Sequence, residues 1–559
     1  MHFSRGLLPS VFILTLFSVE VFAIQVVVPS APRGGTFVHG NFLGISFELS
    51  FLDKYFGSDV NSIPTPFLNY LKVYEAYLPS IPLRLRIGGN SVDISTYVKS
   101  QTQFLNVTDP GAQKDHIPVT FGPTLLNVMS KVGKDIGGAE YLMGLSLSKP
   151  NDTTIAELAV AAHQILGDEL DALLLGNEPD LYYWNGKRPG LSNYTVDDYV
   201  GDYQVVFNQL KSTSNGDVLA QNNIGGPTIC CAWDLATTLQ QSYLETFKQQ
   251  LKYITLQHYP QNNCPDSHSP PPVLEYYLDH SNTVNLAKWQ KPGVDLAVAN
   301  GKPVIMTEFS TAACGGFTGV SDTFGAVLWG VDYSLQLATV GYSGAYLHTR
   351  ERNITYNLYD YPGDGVDGWT TLPMFYSYLP VLNALQSRNG SKVVDLNLED
   401  SMTKTGGTNA AYSIYDVTTS ELYRLAFINF ADGGGSVQYT IPQGTLPQTG
   451  YNVTVRYLTA PSIQEKWDIT WGGKTWRGVK DGKPLNAATG QDLSLDCSSG
   501  CTVDVPNPGL ALVLVNKALP QGMSSSGGKN GAGGGVVAFA SIFAAVSSVF
   551  SFQVFSAFL

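Results

Sequence analysis

Charge is scarce in this chain of 559 residues: Asp, Glu, Lys and Arg together make up 14%, against roughly a quarter in ordinary soluble proteins. The 33 basic residues form no cluster and are outnumbered by 46 acidic ones, for a formal charge of -13. Such a field repels phosphate backbones and other anionic polymers, so no nucleic acid partner is expected. Cysteines number six and histidines eight. Neither HExxH nor Cys-x2-Cys occurs among them, so no metal site and no cofactor are expected. No GxGxxG follows the first apolar run, which removes the usual dinucleotide-binding signal, and no repeat recurs at a fixed period. What is present is 44% hydrophobic residues with 56 Gly and 31 Pro, the balance of a loop-rich chain long enough to bury a large core.

The two ends have the layout of processing signals. His2 and Arg5 precede the apolar run 7–17 and a small-x-small site at Val21-Phe22-Ala23, which predicts a secretory signal peptide over 1–23 rather than a buried strand or an anchor. Near the other end Ser524-Ser525-Ser526 precede a Gly-rich spacer, and 536–559 is almost wholly apolar with no charge after it. That order predicts a glycolipid (GPI) anchor attached near Ser525 with the tail removed, against the competing reading of a membrane-spanning helix. The expected location is therefore extracellular, at the cell surface, with the membrane reached only through the lipid. In that compartment the sequons at Asn106, Asn151, Asn193, Asn353, Asn389 and Asn452 become glycosylation candidates, and the six cysteines can pair. Cys497 and Cys501 are expected to close a small loop. Adjacent Cys230 and Cys231 are expected to bridge separately to Cys264 and Cys314 rather than to each other.

Between about 39 and 387, short apolar runs alternate with amphipathic stretches. The runs are 43–49, 83–87, 141–147, 172–175, 223–226, 253–257, 303–306 and 344–347, with helical patterns such as 151–166 and 195–210 between them. Eight strand–helix units predict an α/β fold of the closed (β/α)8 TIM-barrel type. After 388 the period shortens to two, in runs 392–398, 411–417, 422–429, 436–441, 451–458 and 510–515 separated by turn residues. This predicts a C-terminal antiparallel β-sandwich over 388–518, with 24–38 joining it as a strand; 519–535 is a Gly/Ser-rich linker.

In such a barrel chemistry sits at the C-terminal strand ends. The fourth run ends Gly176-Asn177-Glu178-Pro179-Asp180 and the seventh ends Met306-Thr307-Glu308-Phe309. Strands four and seven approach one another across the barrel mouth, so Glu178 and Glu308 are a candidate catalytic pair. Glycoside hydrolysis with retention needs one carboxylic acid and one carboxylate about 5–5.5 Å apart. Asn177 is placed to bond the sugar 2-hydroxyl. Glu48, Asn90, His258 and Tyr259, at the ends of strands one, two and six, are candidates for holding sugar hydroxyls; their structural alternatives are a satisfied buried carboxylate, a turn former and wall residues. Trp184, Trp233, Trp329 and Trp369 are candidates for stacking on sugar faces, with core packing as the alternative.

These features, with Leu85-Arg86-Ile87-Gly88-Gly89-Asn90-Ser91, Gln257-His258-Tyr259, Gly315-Gly316 and Ser321-Asp322-Thr323-Phe324, resemble glycoside hydrolase family 79, the β-glucuronidases and heparanase. The resemblance spans nearly the whole chain between its end signals. It implies Glu178 as acid/base, Glu308 as nucleophile, and a uronic-acid carboxylate held by backbone N–H groups at Gly315 and Gly316 and by Tyr356. Cys314 departs from the glycine found at that point in heparanase.

The leading expectation is a retaining exo-β-glucuronidase, a monomer acting on glycans or glycoproteins that end in glucuronic acid or its 4-O-methyl form. Three alternatives stand beside it: a heparanase-like endo-enzyme, a retaining barrel hydrolase of neutral sugars, and a surface protein that binds glycan without cleaving it.

Overall fold

The computed structural model describes residues 23–515, apart from 33–35, 79, 114–115, 189, 266–267, 388 and 448–450. The expected signal peptide (but for Ala23), the Gly/Ser-rich stretch with Ser525 and the apolar tail lie outside the described residues. Among those described, no helix is long and apolar enough to cross a membrane.

Eight parallel strands close into a barrel: β1 (Leu43–Glu48), β2 (Leu83–Gly88), β3 (Ala139–Leu145), β4 (Leu170–Leu175), β5 (Ile224–Ile229), β6 (Leu251–His258), β7 (Val304–Phe309) and β8 (Tyr342–Thr349). Each expected apolar run falls on one of them. Both faces are covered, which is why the strands read as continuous apolar runs rather than alternating ones. Inside, Leu142, Ala172, Leu174, Tyr253, Ile305 and Tyr346 pack as a separate small core. Outside, helices such as α1 (Thr154–Leu166) and α2 (Val196–Lys211) lay their apolar stripes on the strands. Thr195 and Asp198 start α2 with reciprocal side-chain caps.

The C-terminal part is antiparallel. β9 (Ser391–Asp395), β10 (Asn409–Asp416), β11 (Leu422–Asn429), β13 (Asn452–Thr459) and β15 (Gly509–Val515) belong to one large sheet. A smaller sheet holds β12 (Ser436–Ile441), β14 (Cys501–Pro506) and, parallel to β12, the N-terminal strand Ile24–Gln25. Period two does the sorting: Leu425, Phe427 and Val513 face the small sheet, with Phe427 stacked on Tyr439 at 4.6 Å. Ala426, Ile428 and Leu512 on the same strands join the barrel-side core. β14 adds a strand to those expected; only Val503 and Val505 of its residues are apolar and fully buried, too short an alternation to stand out.

The two parts meet over α3 (His280–Ala287) and α4 (Phe324–Val340), the latter buried on nearly every side. At this seam His280 is wholly buried. Its Nδ1 lies 3.0 Å from both carboxylate oxygens of Asp332 on α4, and its Nε2 lies 2.9 Å from Asp395 Oδ2 on β9. Tyr412 on β10 donates to Asp332 Oδ1 at 2.6 Å. Burial alone would lower the histidine's proton affinity, but the charge and hydrogen bonds of Asp332 and Asp395 outweigh it and lift the pKa to about 10.

The cysteine pairing corrects the expectation. Cys230 is bonded to Cys231, and Cys264 to Cys314. The reason is local. Gln261–Asn262 and Ala312–Ala313 pair as parallel extensions of the sixth and seventh strand–loop segments, so Cys264 and Cys314 already face each other. Cys497 is joined to Cys501.

Candidate active site

The site is built first from β2. This strand is buried throughout yet carries Arg84 and Arg86, two residues apart and therefore on one face, toward the barrel interior. Arg86 is 1% exposed, and its guanidinium occupies the space where a side chain at Gly88 would go. Lateral register sets Ser46 of β1 beside Arg86 on one flank and His348 of β8 on the other. Ser46 Oγ takes a bond from Arg86 Nη1 (3.0 Å) and meets His348 Nδ1 (3.0 Å). Gly89 turns the chain at φ +83, and a Cβ there would fall on the Glu48 carboxylate. The two glycines are thus the room that one arginine and one glutamate require.

Glu48 is 3% exposed and fully engaged. It accepts from the backbone N–H groups of Asn90 (3.2 Å) and Ser91 (3.0 Å) and from the Ser91 hydroxyl, with His348 Nε2 at 3.6 Å. Burial raises its pKa, but the hydrogen bond and charge of His348, the charge of Arg350 and the Ser91 bond more than reverse this, to about 2. The setting is that of a satisfied carboxylate holding the turn after β2. Asn90 faces the centre, its Oδ1 accepting from Asn177 Nδ2 at 3.1 Å.

Glu308 is 7% exposed at the end of β7. A register shift between β6 and β7 sets it directly beside Gln257. Arg86 Nη1 donates to its Oε2 at 2.5 Å and the Tyr259 hydroxyl to its Oε1 at 2.8 Å. Burial pushes its pKa up, yet the charges of His348 and Arg86 and the Tyr259 bond prevail and hold it below the usual carboxylate value.

Glu178, only partly buried, sits at φ +50, with its N–H bonded to the Thr228 carbonyl at 3.1 Å. Its pKa is raised, first by desolvation, then by the charges of Glu308 and Asp180. Gln257, with its amide oriented to satisfy its neighbours, donates to Glu178 Oε1 at 3.0 Å and accepts from Arg86 Nη2 at 2.9 Å. Two carboxylates close enough to repel, one with its pKa lowered and one with its pKa raised, are what an acid paired with a nucleophile or base requires.

Supporting groups fix the chain around Glu178. Asp93 accepts from the N–H of Leu147 (2.8 Å), the N–H of Asn177 (3.1 Å) and the Tyr182 hydroxyl (2.8 Å), tying the ends of β2, β3 and β4 together. Asp180 accepts from the backbone N–H groups of Cys230, Cys231 and Ala232, the last two at 2.8 Å. The Asn-Glu-Pro-Asp run therefore aims Glu178 with a bonded residue on either side.

Residues 411–512 match the family model described as "Glycosyl hydrolase family 79 C-terminal beta domain". A β-glucuronidase of Aspergillus niger is 24% identical over 510 residues, covering 84% of this chain and 90% of that one. A β-glucuronidase of Neurospora crassa is also 24% identical, over 534 residues, 85% of this chain and 91% of the relative. The chain is a glycoside hydrolase. Among solved structures, the enzyme shares its fold with a 4-O-α-L-rhamnosyl-β-D-glucuronidase of Fusarium oxysporum, at a TM-score of 0.70 and 22% identity, covering 88% of this chain and all of the other.

The remaining predicted residues differ in setting. Tyr356 is 1% exposed; its ring lies 6.1 Å from that of Tyr259 and 6.4 Å from that of His348. Gly315 and Gly316 form a turn at φ +96 and +75 where a side chain would meet Ile354 or Thr355. The Gly316 N–H donates to the Ala312 carbonyl (3.1 Å), so that expected donor is used within the turn. His258 stacks on Trp289 at 4.0 Å with its Nδ1 on the Cys230 carbonyl, and burial lowers its pKa to about 4. That is the setting of a neutral wall residue. Trp329 and Trp369 are buried in the core, Trp233 packs on Tyr194 at 6.1 Å, and Trp184 is exposed.

Arg86, Gln257, Asp93 and Asp180 were not singled out from the sequence as site residues. The available signal was polarity in the wrong place: two arginines inside an apolar run, and an Asp directly after Asn-Glu-Pro.

Proposed function

We propose that the enzyme is a retaining exo-β-glucuronidase of family 79, releasing terminal β-linked glucuronic acid or its 4-O-methyl form from extracellular glycans. The observation that carries this is the unequal setting of two neighbouring glutamates: Glu308 is bonded by Arg86 and Tyr259, which favours its anion, while Glu178 has only the neutral Gln257 amide, with burial and the Glu308 charge raising its pKa. The two β-glucuronidase relatives supply the choice of sugar.

In the first step a Glu308 oxygen attacks the anomeric carbon as the glycosidic C–O bond breaks, and Glu178 gives its proton to the departing oxygen. Arg86 and Tyr259 hold the nucleophile in one orientation without occupying all of its lone pairs. Glu178, now ionised, then takes a proton from water, which attacks the same carbon and frees Glu308. Two inversions give net retention. Asn177 is positioned at the 2-hydroxyl, and Tyr356 and the Gly315 turn at the uronate carboxylate. The shortage of basic clusters favours terminal sugars over a long sulfated polymer as substrate.

We also propose a monomer secreted by way of residues 1–23 and held at the surface through a lipid at Ser525. All six sequon asparagines are exposed, which leaves room for glycans. The test is turnover of chromogenic β-glucuronide, β-glucoside and β-xyloside in parallel. The glucuronide is expected to be strongly preferred, with the preference lost on Tyr356→Phe; equal turnover of the neutral sugars contradicts the uronidase reading.

A further inference from the structure

The loop after Glu178 carries the most exposed tryptophan among the described residues. Trp184 is 66% exposed and Tyr183 44%, and their rings meet edge-on at 6.0 Å. Yet this turn is clamped. At its near foot Tyr182 is buried and donates its hydroxyl to Asp93 at 2.8 Å. At its far foot Lys187 is buried, with its N–H on the Tyr182 carbonyl at 3.0 Å and its Nζ 3.4 Å from the Asn90 carbonyl. The N–H of Asn185 closes onto Leu181 at 2.9 Å. Both feet are thus bonded to residues that flank Asn177, while two large rings stand in water at the tip.

Position gives this arrangement a meaning. A general acid protonates the oxygen of the leaving group, so the leaving group rests against the segment that bears the acid. We propose that Tyr183 and Trp184 form a stacking platform for the leaving group, and that this group is a saccharide, its C–H face on the rings and its hydroxyls in water. The inference rests on the assignment of Glu178 as the acid and on the glucuronidase reading. A saccharide fits better than a compact apolar aglycone because the platform is open: an apolar group is best held in an enclosed pocket, whereas a sugar needs one apolar face and one wet one.

The test compares two substrates on the intact enzyme, methyl β-D-glucuronide, whose leaving group is too small to reach the platform, and a β-glucuronic acid–galactose disaccharide. For Trp184→Ala, kcat/KM on the disaccharide is expected to fall about tenfold more than on the methyl glycoside, mainly through KM, with an unchanged melting temperature and partial retention in Trp184→Phe. Equal changes on both substrates, or none on either, overturn the platform. Wild-type turnover of the methyl glucuronide tests the glucuronidase reading separately. If only neutral sugars are cleaved, the same methyl-versus-disaccharide comparison on that sugar still decides the platform.

Discussion

Two places in this molecule bury carboxylates side by side, and their cations are arranged differently. At the seam between barrel and sandwich, His280 lies between Asp332 and Asp395, within 3.0 Å of each. A cation between two anions satisfies both, and the three groups act as a bridge between two parts of the fold. At the barrel mouth the cation stands to one side: Arg86 bonds Glu308, while Glu178 receives a neutral amide from Gln257. The repulsion there is left in place, and with desolvation it raises the Glu178 pKa while that of Glu308 is lowered. The place of the cation is what distinguishes the two carboxylate pairs, and on the proposed function it separates a structural bridge from a catalytic pair.

Breaking the mouth has the largest expected effect. Glu308→Gln is expected to lower kcat by roughly 10,000-fold or more, and Glu178→Gln by roughly 100- to 10,000-fold, with the smaller loss on activated leaving groups that need no proton. Steady-state rates on nitrophenyl and alkyl glucuronides measure both. Arg86→Met takes the cation from its one-sided place. The expected loss in kcat is roughly 100- to 1,000-fold, and the acid limb of the pH–rate profile moves up because Glu308 holds its proton more tightly.

Breaking the seam should leave the chemistry alone. His280→Gln removes the cation and leaves two buried aspartates facing each other, at a cost of about 3–5 kcal/mol in unfolding free energy, with kcat/KM retained. The sign of the pH effect follows from a folded-state pKa of about 10, raised from 6.5. The histidine's contribution is complete below pH 6.5 and is lost as the pH climbs toward 10, so wild-type stability should fall over that window and the variant's should not. Denaturant midpoints across pH measure it.

The smallest effect sharpens the comparison at the mouth. Lys187 is a second cation besides Arg86, and its charge also lowers the Glu178 pKa. In Lys187→Met the alkaline limb should move to higher pH by a fraction of a unit. A fall would mean that loss of the turn outweighs loss of the charge.

Much of this was legible in the sequence, and the reason is physical. Barrel strands buried on both faces write themselves as unbroken apolar runs, so eight of them were countable, and the period-two alternation of β10, β11 and β15 marked the antiparallel domain. Glu178 and Glu308 stood out as candidates because a carboxylate stopping an apolar run is out of place, and the structure brings them close enough for their charges to interact. What stayed hidden depends on lateral register: that Arg86 stands between Ser46 and Glu308, that Asp93 reaches back to Asn177, and that Gly316 donates within its own turn. None of these contacts has a spacing along the chain. The Cys230–Cys231 bond was misjudged because pairing follows from which loops extend side by side, and the Cys264–Cys314 pair was already matched by the strands beneath it.

The most direct measurement is to trap the intermediate with a 2-deoxy-2-fluoro-β-glucuronide bearing an activated leaving group and to map the labelled peptide by mass spectrometry. The account predicts one sugar bound through an ester to Glu308, with label accumulating in the wild type and absent from Glu308→Gln. A label on Glu178, or steady hydrolysis that inverts the anomeric centre and traps nothing, would contradict it.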